Sequence, residues 1–82
     1  MTTVKVSLST IDKVKEFVND ISGFPADFDL VAGRYVIDAK SIMGIFSLDI
    51  SKPIDLNIYA ERDKSAADLD LILEALKPYL AE

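Results

Sequence analysis

The stretch Asp27-Phe28-Asp29-Leu30-Val31-Ala32-Gly33-Arg34-Tyr35-Val36-Ile37-Asp38-Ala39 decides how this chain folds. Phe28 and Leu30 alternate with Asp27 and Asp29, the period-two pattern of a strand with one dry and one wet face. Ala32-Gly33-Arg34 then turns the chain, and Tyr35-Val36-Ile37-Asp38-Ala39 returns as a second strand, so the stretch predicts a β-hairpin. Further along the chain Ile54, Leu56 and Ile58 alternate with Asp55, Asn57 and Tyr59 in another strand, after the turn Ser51-Lys52-Pro53. At the other end Val4, Val6 and Leu8 alternate with Thr3, Lys5 and Ser7. Lys5, Ser7, Asp27, Asp29, Asp55 and Asn57 are what a sheet facing water on one side would carry.

Three helical segments complete the pattern. Ser9 or Thr10 reads as an N-cap, with Asp12 in the first turn, where its charge meets the positive end of the helix dipole. Ile11, Val14, Phe17, Val18 and Ile21 follow at helical spacing, Gly23 supplies a left-handed stop, and Pro25 closes the connection. Residues 41–50 predict a short helix capped by Ser41, with Gly44 one turn in and Ile42, Met43, Ile45, Phe46, Leu48 and Ile50 spread over more than one face. After a charged connection, Glu61-Arg62-Asp63-Lys64, the last helix opens with Ser65 and Asp68 in capping-box spacing and runs Leu69, Ile72, Leu73, Leu76 along one face. Pro78 ends or kinks it. The order βαββαβα predicts an α+β domain, residues 1–82, in which a four-stranded antiparallel sheet is covered on one face by three helices.

Composition narrows the chemistry. The chain has 82 residues, half of them apolar, nine basic against fourteen acidic side chains, and neither cysteine nor histidine. Without thiolate or imidazole there is no Cys/His metal site, no Ser-His-Asp or Cys-His nucleophile pair and no disulfide, and no cofactor is expected. A net charge of −5 opposes nucleic-acid binding, which needs cations against phosphates. No apolar run approaches the roughly 20 residues that cross a bilayer, and Met1 to Thr10 lack a basic segment followed by an apolar one. The expectation is a cytoplasmic, non-enzymatic domain. A chain of this size buries roughly 60–65% of its unfolded surface, so nearly every apolar residue is needed for one core. Asp27, Asp29 and Asp55 read as solvated groups on the wet face rather than as cation ligands.

The run Ala39-Lys40-Ser41-Ile42-Met43-Gly44-Ile45-Phe46-Ser47-Leu48-Asp49-Ile50 resembles the stretch around the regulatory serine of HPr, the histidine-containing phosphocarrier of the bacterial sugar phosphotransferase system. The resemblance spans the chain but is concentrated in this segment, and it implies the same open-faced sandwich that the periodicity predicts. The family's other signature, a Gly-x-His-Ala-Arg-Pro loop between first strand and first helix, is absent. Here the loop reads Leu8-Ser9-Thr10-Ile11-Asp12-Lys13. Matching both the first strand and the first helix leaves the loop about three residues short. Counting back from the helix without a gap puts Thr10 in the histidine slot and Asp12 in the arginine slot. Either way phosphohistidine transfer is lost: a threonine phosphate is a stable ester, and an aspartate repels the incoming anion.

Ser41 is the site the resemblance offers instead. In Gram-positive HPr and its histidine-lacking catabolite-repression paralogue, the matching serine is phosphorylated by HPr kinase/phosphorylase, and the product is a corepressor for a transcription regulator. A phosphate at a helix N-terminus gains roughly 0.3–2 kcal/mol from free N–H groups and the dipole, and Lys40 would add a cation. As an N-cap alone, Ser41 contributes about 1 kcal/mol. The resemblance places the first loop beside the short helix, so Ser9, Thr10, Lys13, Lys40, Ile42, Met43 and Phe46 form the expected contact surface for protein partners, such as that kinase, the regulator or other phosphotransferase components. The competing expectation, from the same fold without the histidine, is a small ligand-binding or dimerising sandwich with no role in sugar transport.

Overall fold

In the computed structural model, which describes residues 2–59 and 69–81, the hairpin consists of β2 (Asp27–Ala32) and β3 (Tyr35–Asp38). Leu30 faces Ile37, Val31 faces Val36 and Ala32 faces Tyr35, leaving Gly33 and Arg34 as a two-residue turn. Gly33 has φ of 61°, and no other described residue has positive φ. Glycine at the first central position is what a type II′ turn requires. A Cβ at Gly33 would meet nothing within 4 Å, so backbone conformation, not space, selects glycine there.

Strand β4 (Ile54–Tyr59) pairs antiparallel with β2 on one side and with β1 (Thr2–Val6) on the other, giving the order β1-β4-β2-β3. The registers align one row facing the helices, Val4, Leu56, Leu30 and Ile37, and the next facing water, Lys5, Asp55, Val31 and Val36. On the wet face Lys5 Nζ lies 3.0 Å from Asp55 and Thr3 donates to Asn57 at 2.8 Å. Such exposed pairs add at most about 1 kcal/mol each. The dry face buries Val6, Phe28, Leu30, Ile54, Leu56 and Ile58 against helical residues.

Those residues come from α1 (Ile11–Ser22), α2 (Ile42–Phe46) and α3 (Leu69–Leu76), which contribute Val14, Phe17, Ile21, Ile45, Ile72 and Leu76 to the core. The α-helical run ends before Pro78, in a 3₁₀ turn over Lys77–Tyr79. Tyr79 packs edge-on against Phe17, with ring centroids 5.6 Å apart, and donates its hydroxyl to Asp20 at 2.6 Å. The chain then runs along the outer side of β1: Ser7 N–H donates to Tyr79 O at 2.7 Å, and Ala81 N–H to Lys5 O at 3.0 Å.

Several expectations need correction. Gly23 is right-handed, φ −77° and ψ −9°, so it is not a left-handed stop; Phe24 N–H bonds Ile21 O at 3.1 Å, and the chain leaves α1 through this tight turn ahead of Pro25. Ile11, the first residue of α1, overhangs the core and is 59% exposed. Ala39 lies just past β3, buried, its N–H on Phe28 O at 2.9 Å. The helix expected over 41–50 stops at Phe46, where the Ser47 hydroxyl takes the Gly44 carbonyl at 2.6 Å; Leu48 and Ile50 reach the core from the following loop. The connection 61–64 and the caps Ser65 and Asp68 lie outside the described residues.

Candidate functional site

Two capped helix N-termini carry most of the residues singled out by the sequence. At α1, Thr10 is the N-cap: it is extended, φ −129° and ψ 157°, and its hydroxyl accepts from Lys13 N–H at 3.1 Å. Ser9 and Thr10 are exposed and Lys13 is half-buried. At α2, Ser41 is the N-cap, φ −95° and ψ 101°, with its hydroxyl accepting from Gly44 N–H at 3.3 Å and its carbonyl from Ile45 N–H at 3.0 Å. Ser41 N–H in turn donates to Asp38 O at 3.0 Å, so the end of β3 runs directly into the cap. The Ser41 side chain is exposed, and α1 and α2 are in contact.

Lys40 does not serve Ser41. Its ammonium donates to the Phe24 carbonyl at 2.8 Å and sits 5.4 Å from the centroid of the Phe28 ring, while its N–H is held by Asp38 Oδ1 at 2.9 Å. The half-buried carbonyl left by the tight exit from α1 takes this cation. Ile42 is likewise turned partly onto the core. Met43 at 76% exposure and Phe46 at 39% remain as the apolar surface of α2. Ile11 adds an exposed apolar side chain at α1 that helical spacing had counted as core. Its position at the first turn, before the first buried residue Val14, was the available signal.

The acidic wet face is a separate feature. Asp27, Asp29, Asp38 and Tyr59, with Phe28, line a shallow depression of about 450 Å³, and Asp55 is set apart by its pairing with Lys5. Among the described residues no group of three or more acidic side chains is arranged to hold a metal ion, and no helix is long and apolar enough to cross a membrane.

The sequence matches the family profile described as the PTS HPr component phosphorylation site over residues 12–80. The chain belongs to the HPr family. In structure it is similar to the crystal structure of HPr-C-His from Thermoanaerobacter tengcongensis, with a TM-score of 0.70 at 23% identity over 94% of this chain and 92% of that one. At that identity the likeness is one of fold, and the antiparallel sheet under helices is the HPr fold. No curated protein sequence matches the chain. The profile match begins at Asp12, so Ser9, Thr10 and Ile11 precede it.

Proposed function

We propose that this HPr-family chain is a non-catalytic interaction protein of the phosphotransferase network that does not carry phosphohistidine, and that Ser41 is its regulatory phosphorylation site. The observation that carries the first half is the composition: there is no histidine anywhere in the chain. Counting back from α1 without a gap puts Thr10 in the histidine slot, and its hydroxyl is engaged as a cap. Ordinary phosphohistidine transfer needs an imidazole nitrogen that accepts and releases the phosphoryl group; a threonine ester does not release it comparably.

Support for Ser41 is local. The hydroxyl is exposed, stands in the Lys-Ser-Ile-Met-Gly run that resembles the family's regulatory segment, and is followed by exposed Met43 and Phe46, which suit a partner's apolar contact. Phosphorylation replaces the hydroxyl acceptor by three stronger phosphate oxygens next to the Gly44 N–H. With α2 only five residues long and Lys40 engaged elsewhere, the stabilisation stays near the lower end, about 0.3–1 kcal/mol. The modification therefore alters surface charge far more than fold, and the partner surface comprises Ser9, Thr10, Lys13, Met43 and Phe46.

Incubation with HPr kinase and ATP, followed by intact-mass and peptide mapping, tests this. One added phosphate is expected on the wild type and none on Ser41→Ala; an unmodified wild type, or an equal gain on the variant, removes Ser41 from the reading. Enzyme I with phosphoenolpyruvate is expected to leave no acid-labile label, and such a label would overturn the loss of carriage.

A further inference from the structure

The two edges of the sheet are finished differently. The outer side of β1 is accompanied by residues 79–81, whereas the described residues place no strand outside β3. Ala39 N–H on Phe28 O fixes the phase of the ladder: residues 35, 37 and 39 turn their backbone polar groups to β2, so those of Val36 and Asp38, and the Arg34 carbonyl trans to the Tyr35 N–H, point outward. The same edge exposes Tyr35 at 64% and Val36 at 61% on opposite faces of the sheet. An exposed strand edge bearing large apolar side chains is a template for pairing with another strand.

We propose that β3 is the docking edge for a second copy of this chain, joined antiparallel about a two-fold axis through Val36 into a continuous eight-stranded sheet. Charge selects both partner and register. With Val36 opposite Val36 of the other copy, Arg34 of each chain stands opposite Asp38 of the other, and Tyr35 opposite Ile37. The central pair then uses outward-pointing N–H and C=O groups of both chains, and each 34–38 pair adds the Asp38 N–H donating to the Arg34 carbonyl. Moving the axis to residue 37 sets Arg34 against Lys40 and Asp38 against Val36; moving it to residue 35 sets Arg34 against Val36. Only the central register pairs the charges. Arg34 makes no ion pair among the described residues. Asp38 accepts the Lys40 N–H on Oδ1, which leaves its other carboxylate oxygen for the guanidinium.

The test is sedimentation or light scattering from micromolar to millimolar protein, with circular dichroism on each variant. The wild type is expected to dimerise reversibly, more weakly as salt is raised. Arg34→Asp and Asp38→Arg are each expected to be monomeric alone and to form a dimer when mixed, because the mixture restores both charge pairs. Val36→Cys needs no charge change and places the only thiols of the assembly about 5.5 Å apart between Cα atoms, within disulfide reach. Oxidation is expected to give a covalent dimer with β3 intact, while Thr3→Cys, on β1, stays monomeric. A wild type monomeric at millimolar concentration, a dimer unaffected in both charge variants, or folded variants whose mixture remains monomeric would each overturn the proposal. If either charge variant fails to fold, equal cross-linking of Val36→Cys and Thr3→Cys overturns it.

Discussion

The N-termini of α1 and α2 use the same chemistry and are held very differently. Each is capped by a hydroxyl that accepts from the amide three residues on, at 3.1 Å for Thr10 and 3.3 Å for Ser41. Behind Thr10 stand twelve helical residues, three buried side chains and the link from Asp20 to Tyr79. Behind Ser41 stand five residues and one buried side chain, Ile45. A cap on the first helix is part of the fold; a cap on the second can be altered with little structural consequence. The lighter anchoring suits the phosphorylation proposed at Ser41, since local rearrangement is cheapest where few contacts are lost.

The sharpest challenge to this contrast removes the anchors. Phe17→Ala is expected to lower unfolding free energy by about 3–5 kcal/mol and Ile45→Ala by about 2–5 kcal/mol in urea titrations. Hydrogen exchange should then show α2 opening locally in Ile45→Ala while α1 stays protected; equal loss of protection in both helices would mean that α2 is anchored as firmly as α1.

Tyr79→Phe probes the lateral tie of α1. Loss of the hydrogen bond to Asp20 is expected to cost about 1 kcal/mol at neutral pH. Burial, the hydrogen bond to Asp20 and the nearby charges of Asp20 and Glu16 push the Tyr79 phenol above its ordinary value of 10.0. Because the folded value is raised, its contribution is full below the unfolded value and lost as pH rises through the folded one. Wild type and Tyr79→Phe should therefore differ by a constant amount up to about pH 10 and converge above it, as read by urea midpoints.

Smaller effects come from the caps. Thr10→Ala should cost about 1 kcal/mol and Ser41→Ala about 0.5 kcal/mol, the longer bond and shorter helix giving the lower value. Thermal midpoints that fall equally would remove the distinction. The smallest change is expected for Gly44→Ala, where the new Cβ would meet Ser41 Oγ at 3.2 Å and Ile37 Cδ1 at 3.4 Å. A helix-propensity gain of about 1 kcal/mol offsets this crowding, so stability should move by less than about 0.5 kcal/mol while exchange of the residue 44 amide quickens.

Much of this arrangement is legible in the sequence because it is local. Period-two alternation marks β1, β2, β3 and β4, and Thr10 and Ser41 are caps by residue type and position. What escaped the sequence depends on distant partners. The ammonium of Lys40 goes to a carbonyl sixteen residues earlier, so its absence from the Ser41 site follows from how α1 ends. Leu48 and Ile50 look helical because they are apolar, yet they meet the core from a loop. Gly23 has the identity of a left-handed stop, but Pro25 two residues on already bars the helix. At the candidate site, Met43 and Phe46 were expected on the surface, whereas Ile42 and Ile11 exchange roles: the first packs inward, the second overhangs the core.

The central place of β4 has a consequence for the order in which the chain assembles. The β2–β3 hairpin closes across two residues, while Lys5 must find Asp55 across 50. Loop closure of that span precedes any reward from the pairing, which slows it relative to local contacts. During synthesis β1 thus leaves the ribosome long before β4, the neighbour it pairs with. Until β4 emerges, Val4 and Val6 have no sheet to join, and α1 has only half a floor to pack on.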